Sequence, residues 1–177
     1  MEISKEFRFE ASHILPRHPG KCSRLHGHSW KLTVSVKGLI NETTGFVLDY
    51  GYLSAIVKPL IEDLDHRHLG TWYHPMFDNS FTEEAYFVHG LPFDFYPSSE
   101  NLLIWIADQL EGKLAWSQLE LEETCTSKAI LTYKDYEAEK YRQRSGSIDR
   151  KKPKELLQTD EEKQVVEAGI QSRKEED

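Results

Sequence analysis

The sequence predicts an α+β fold: an antiparallel sheet with two helices, in the order β-β-α-α-β-β. Three observations carry this. Residues 5–13 and 26–36 alternate apolar and polar positions at period two, the signature of half-buried strands. The middle of the chain holds two stripes at helical spacing, near 49–64 and 98–110. Two further alternating stretches, 117–124 and 127–135, close the pattern.

In the first strand Phe7, Phe9, Ala11 and His13 share a face. Pro16, Pro19 and Gly20 make residues 14–25 a loop. The second strand places His26, His28, Trp30, Leu32, Val34 and Val36 on one face. A turn over KGLINETTG and a short extended piece, FVLD, precede the first helix. Asp49 is its expected cap, and Leu53, Ile56, Val57, Leu60, Ile61 and Leu64 form its apolar side. Pro59 falls inside that helix and predicts a kink or irregularity. The second helix opens at PSSENL with Ser98 or Ser99 as cap, and Leu103, Ile106, Ala107 and Leu110 form its stripe.

Residues 71–96 have no period and carry nine aromatic side chains, Trp72, Tyr73, Phe77, Phe81, Tyr86, Phe87, Phe93, Phe95 and Tyr96. So much apolar surface is costly to leave in water, so this insertion is expected to pack near the mouth of the site, on its own or a neighbouring subunit. From residue 136 the chain is mostly charged, with a short helix expected near 159–168. The predicted organisation is a domain over 1–135 with the insertion 71–96, then a partly mobile extension over 136–177.

Bulk properties narrow the function. A net charge of −8 argues against a general nucleic-acid binder. No apolar run reaches membrane length, and the charged, alternating start lacks the apolar core of a signal peptide, so a cytoplasmic location is expected. Two cysteines cannot build a disulfide framework. Between Glu10 and Glu42 there is no acid, while Arg17, Lys21, Arg24, Lys31 and Lys37 fall there. That gap fits either a local positive field for a small anion such as a phosphate ester, with Arg24 a candidate contact, or the ordinary scarcity of acids in strands.

The chemistry gathers around CSRLHGH. His26 and His28, at i and i+2 on a strand, point the same way ~7 Å apart along the chain. His13 ends the preceding strand, and a hairpin would return it to them. Three neutral histidines with an open fourth position describe a catalytic zinc site. Cys22, among cationic neighbours, is either a reactive thiol or the fourth ligand. Asp65 and His66 are adjacent at a helix end, either an acid–base pair or an ordinary helix terminus. Glu123 shares a strand face with Leu119 and Leu121 and needs a partner there unless that face is exposed.

Together FEASHIL, KCSRLHGHSW, GFVLDYGYL, LDHRHL, PSSENL and LEETCTS, in this order over residues 5–134, resemble the 6-pyruvoyl-tetrahydropterin synthase superfamily. The three-residue spacer between Cys22 and His26 is similar to that of its bacterial 6-carboxy-tetrahydropterin synthase branch, which serves queuosine biosynthesis. The resemblance implies the T-fold, in which such units trimerise into a barrel and two trimers stack into a homohexamer. It implies Zn2+ on His13, His26 and His28, Cys22 as the catalytic thiol, and Asp65 with His66 as an acid–base pair reaching the site from a neighbouring subunit. Glu123 would grip the guanidine-like edge of the pterin and join proton transfer, with Ser98 and Ser99 lining the pocket. The implied reaction converts 7,8-dihydroneopterin triphosphate to 6-carboxytetrahydropterin, acetaldehyde and triphosphate. The alternatives are a 6-pyruvoyl-type triphosphate lyase and a non-catalytic pterin- or metal-binding protein. The insertion and the tail after Tyr136 depart from the compact members of the family.

Overall fold

The computed structural model describes residues 1–15, 18–70, 90–92 and 95–144. β1 (Glu2–His13) and β2 (His26–Lys37) pair antiparallel over their whole length, from Glu2 opposite Lys37 to His13 opposite His26. Partners directly opposite share a face, so Phe7, Phe9, Ala11 and His13 lie on the same side as Leu32, Trp30, His28 and His26. Between these strands, Lys21–Ser23 makes a single 3-10 turn.

Helix α1 (Tyr50–Leu64) begins where expected: the Asp49 carboxylate accepts from the Tyr52 N–H at 3.0 Å. Pro59 lies within it without ending it. Pro59 and Ala55 are both exposed, so water can satisfy the carbonyl that loses its donor. Two short strands follow that lack any period of their own: β3 (Arg67–Gly70) and β4 (Gly90–Pro92). Helix α2 (Ser99–Leu110) takes Ser98 rather than Ser99 as its cap. Strands β5 (Gln118–Thr124) and β6 (Ser127–Thr132) form an antiparallel hairpin, and helix α3 (Tyr133–Arg144) continues from it.

The six strands form one sheet in the order β4-β3-β1-β2-β5-β6. The four long strands are antiparallel as predicted; the β1–β3 and β3–β4 pairs are parallel, which makes the sheet mixed. Both predicted helices cover one face. Leu53, Val57 and Leu64 of α1 and Leu102, Leu103 and Ile106 of α2 close over Trp30, Leu32, Val34, Leu119 and Leu121, all essentially removed from solvent. Each such side chain is worth ~1.5–3 kcal/mol in transfer from water. The other face is polar, and Lys31 there bridges Glu6 at 3.3 Å and Glu122 at 2.7 Å.

Two expectations need correction. FVLD forms no strand; Val47 and Leu48 pack against the core beside the α1 cap. The last strand stops at Thr132 rather than reaching Asp135, because the Thr132 hydroxyl accepts from the Asp135 N–H and caps a third helix. Tyr136 of that helix is fully buried in the core, and its hydroxyl donates to Asp108 at 2.7 Å. Within the acid-free window, Lys31 is matched across strands by acids remote in sequence. The expected packing of the insertion concerns mostly 71–89, 93 and 94, and these, like the helix expected near 159–168, lie outside the described residues.

Candidate active site

The β1–β2 register brings His13 to His26, and period two adds His28 on the same face. The three imidazoles meet edge to face or tilted, with centroids 4.5–5.2 Å apart. Trp30, fully buried, walls the cluster from below, with its ring 5.2 Å from that of His13 and 5.4 Å from that of His28.

Two backbone carbonyls determine which nitrogens face inward. His13 Nδ1 lies 2.7 Å from the Pro97 carbonyl, and His26 Nδ1 lies 2.7 Å from the Arg24 carbonyl. A carbonyl only accepts, so both Nδ1 atoms carry the proton and a neutral ring presents a lone pair at Nε2. Those Nε2 atoms are 3.1 Å apart. Two lone pairs at that distance repel unless a proton or a metal cation lies between them. His28 Nε2 is buried, and it makes no hydrogen bond although Glu123 Oε1 is 3.1 Å away. The same Glu123 oxygen is 3.4 Å from His13 Nε2. One donor atom from each of His13, His26, His28 and Glu123 falls in a group whose members all lie within 4.8 Å of one another, so these residues can hold a metal ion. The orphaned His28 nitrogen and the facing lone pairs both fit a bound cation.

Electrostatics agree with a cation site. Burial holds the His28 pKa below its usual value, helped by His13 and His26 and opposed by Glu123. Glu123 is held below the ordinary carboxylate range, first by its contact with His13 and then by the charge of the surrounding imidazoles, against the cost of burial. A neutral imidazole and an ionised carboxylate are the ligating forms.

The remaining candidates separate into two places. Cys22 sits half-buried in the 3-10 turn, and its carbonyl accepts from Leu15 N at 2.9 Å, which ties the turn to the chain just past His13. It does not belong to the four-donor group; the residue that completes that group is Glu123. Arg24 is exposed, and its contribution to the cluster is the carbonyl that orients His26. Ser98 and Ser99 follow Pro97, the carbonyl that orients His13; Ser98 Oγ caps α2 and Ser99 Oγ reaches Glu100 at 3.4 Å.

Asp65 and His66 lie elsewhere. They are held against the edge of β1: Asp65 Oδ1 accepts from Glu10 N at 2.7 Å, and His66 N donates to Glu10 O at 2.6 Å. Asp65 Oδ2 accepts from His66 Nδ1 at 2.8 Å. The Glu10 N–H is the main reason the Asp65 carboxyl stays below its usual pKa. His66 has φ of 56°, a left-handed backbone that costs a non-glycine residue ~1–2 kcal/mol. Such strain is retained where the position of a side chain matters. His66 borders a groove of about 500 Å³ shared with Glu10, Ser12, Ser29, Arg67 and His68, where Ser12 Oγ meets His68 Nδ1 at 3.0 Å. Ala11, Gly27 and His28 line the same groove, while neither Asp65 nor His66 belongs to the four-donor group.

The model of the 6-pyruvoyl tetrahydropterin synthase family matches residues 2–134. The chain belongs to that family. Among its relatives, the 6-carboxy-5,6,7,8-tetrahydropterin synthase of Synechocystis is 38% identical over 134 residues, covering 72% of this chain and 89% of the relative. A protein of the same name from Aquifex aeolicus is 30% identical, with 72% and 95% covered. Among solved structures, an uncharacterized protein from Wolinella succinogenes superposes with a TM-score of 0.64 at 21% identity, covering 75% of this chain and 98% of that one. The 6-pyruvoyl tetrahydropterin synthase of Caenorhabditis elegans gives 0.57 at 20% identity, with 75% and 94% covered. This family member thus has the α+β T-fold. Among its described residues no helix is long and apolar enough to cross a membrane.

Sequence reasoning missed the carbonyls of Pro97 and Arg24, the Trp30 wall, and the approach of Glu123 to the histidines. Backbone acceptors leave no mark on composition. The T-Y-K-D run at 132–135, a capping pattern, was the available signal for α3.

Proposed function

We propose that this protein is a zinc-dependent 6-carboxy-5,6,7,8-tetrahydropterin synthase, a lyase that takes 7,8-dihydroneopterin triphosphate and one water to 6-carboxytetrahydropterin, acetaldehyde and triphosphate. The observation that carries this is the pair of inward-facing Nε2 lone pairs, on His13 and His26, joined by the orphaned His28 nitrogen. The near full-length likeness to relatives of that name supports the choice of reaction. His13, His26 and His28 would hold the zinc, which when bound polarises substrate oxygens and makes their protons easier to remove.

Around it the chain's own groups divide the work. Cys22, half-buried in the turn that leads to His26, moves protons along the substrate side chain as its thiolate. Glu123 takes the amino and ring N–H donors of the pterin edge, and Ser98, Ser99 and Arg24 supply polar contacts around the pocket. Asp65 keeps His66 oriented while the imidazole exchanges a proton at Nε2. Among the described residues of one protomer no hydrogen bond or ion pair joins the dyad to the histidine cluster, so a second copy would supply the dyad to the substrate. That requirement supports a homo-oligomer, here proposed as a hexamer of two stacked trimers. The catalytic unit is 1–135, with the charged extension from 136 anchored to it by Tyr136. The product would feed queuosine synthesis in the cytoplasm.

Purified zinc-loaded protein should release acetaldehyde and triphosphate in equal amounts from 7,8-dihydroneopterin triphosphate. Triphosphate without acetaldehyde would replace this reading by the 6-pyruvoyl-type lyase. Mixing inactive Cys22→Ala and His66→Ala chains, with unfolding and reassembly, should restore part of the activity; no recovery would overturn the shared site.

A further inference from the structure

The position of Glu123 is not that of a residue reserved for the pterin. β5 has a register irregularity between Glu122 and Thr124, so Glu123 leaves the regular ladder as it reaches the histidines. Its Oε1 comes to 3.1 Å from His28 Nε2 and 3.4 Å from His13 Nε2, while His13 Nε2 and His26 Nε2 are 3.1 Å apart. Donors ~2.0–2.1 Å from a tetrahedral zinc stand ~3.3–3.4 Å from one another, from the edge length of a tetrahedron. These three spacings lie within a few tenths of an ångström of that value, and every pair among the four donors lies within 4.8 Å. Cys22, the other candidate for a fourth ligand, is not in the group.

We infer that Glu123 is the fourth ligand of the metal in the resting protein, closing a His3Glu set that the pterin opens by drawing the carboxylate to its own N–H donors. This rests on the metal reading of the histidine cluster. A carboxylate fits both partners: it is a hard oxygen donor for the ion, and two parallel acceptor oxygens for an amidine-like edge. The same side chain would then report that the pterin is seated before the fourth position is free. A closed set in the absence of substrate also protects the ion from loss and from stray ligands.

The test uses the full-length protein in its assembled form. Zinc affinity is measured by competition with a chromophoric chelator for the wild type, Glu123→Gln and His28→Ala, and cobalt(II) is substituted to read the ligand set from its visible absorption. Glu123→Gln should weaken zinc binding at least ~10-fold, the lower end of what a disturbed ligand environment costs. It should also alter the cobalt spectrum. Neopterin, which has the pterin edge and no phosphate, should shift the wild-type cobalt spectrum toward that of the Glu123→Gln ligand set as the carboxylate leaves the metal. Unchanged affinity and an unchanged spectrum in Glu123→Gln, with His28→Ala metal-poor, would overturn the inference and leave the three-histidine site standing. Failure of the wild type to take up zinc at all would overturn the metal reading, and this inference with it.

Discussion

Replacing His26 by alanine removes one of the two imidazoles whose lone pairs face each other at 3.1 Å. In the wild type, zinc at 100 times its dissociation constant stabilises the fold by ~2.7 kcal/mol, because it binds the folded chain and not the unfolded one. For a chain of this size ~1 kcal/mol moves the melting temperature by ~2–4 °C, so zinc should raise it by ~5–10 °C. His26→Ala leaves His13 with its Nδ1 still donating to Pro97, and His28 with Glu123, a set short of a ligand and of the strongest reason for a cation. If the loss is 100-fold, the same zinc concentration equals the variant's dissociation constant, and the stabilisation falls to ~0.4 kcal/mol, about 1 °C. Removing the facing lone pair also relieves repulsion in the metal-free state, so metal-free His26→Ala should melt no lower than the metal-free wild type. The assay is calorimetry at fixed protein concentration, with and without zinc, beside elemental analysis. A variant that keeps full zinc content and the full thermal shift would refute the assignment of His26 as a ligand.

Three other outcomes are expected. Cys22→Ala should retain zinc and bind pterin while turnover falls at least ~100-fold, the range of a lost general acid–base group; zinc-free Cys22→Ala protein would make the thiol a ligand. Tyr136→Ala should lose ~3–5 kcal/mol by opening a cavity at a side chain with no exposure, so a chain ending at Asp135 should melt well below one ending at Arg144; equal melting would mean α3 adds nothing to the core. Acid should destabilise the metal-free protein. The unfolded chain takes up the proton that folded His28 refuses as pH falls through about 6.5, and Glu123 and Asp65, both held low when folded, lose their contribution as pH drops further through their folded values. A melting temperature that rises between pH 7 and 5 would contradict this.

Much of the frame was legible because it follows from short-range rules. Alternation placed β1, β2, β5 and most of β6. Helical spacing placed α1 and α2, and Asp49 and Ser98 marked their starts. The histidine pair was legible for the same reason: i and i+2 on a strand must share a face. β3 and β4 were not, since four and three residues are too few to show a period and their pairing is decided by chain far away. Helix α3 escaped because, among its described side chains, it buries one, Tyr136, and has no apolar stripe to detect.

What the sequence determined by itself, then, is the class of fold, the three histidine donors and the chemistry open to them. Tertiary structure decided where they meet. The β1–β2 register brings His13 to His26, a strand irregularity delivers Glu123, and the carbonyls of Pro97 and Arg24 turn the imidazoles inward. Two hydrogen bonds to Glu10 and a left-handed His66 hold the dyad against β1, outside the four-donor group. Periodicity is a property of neighbours along the chain, whereas a site of four donors from three strands depends on register, which long-range pairing alone sets.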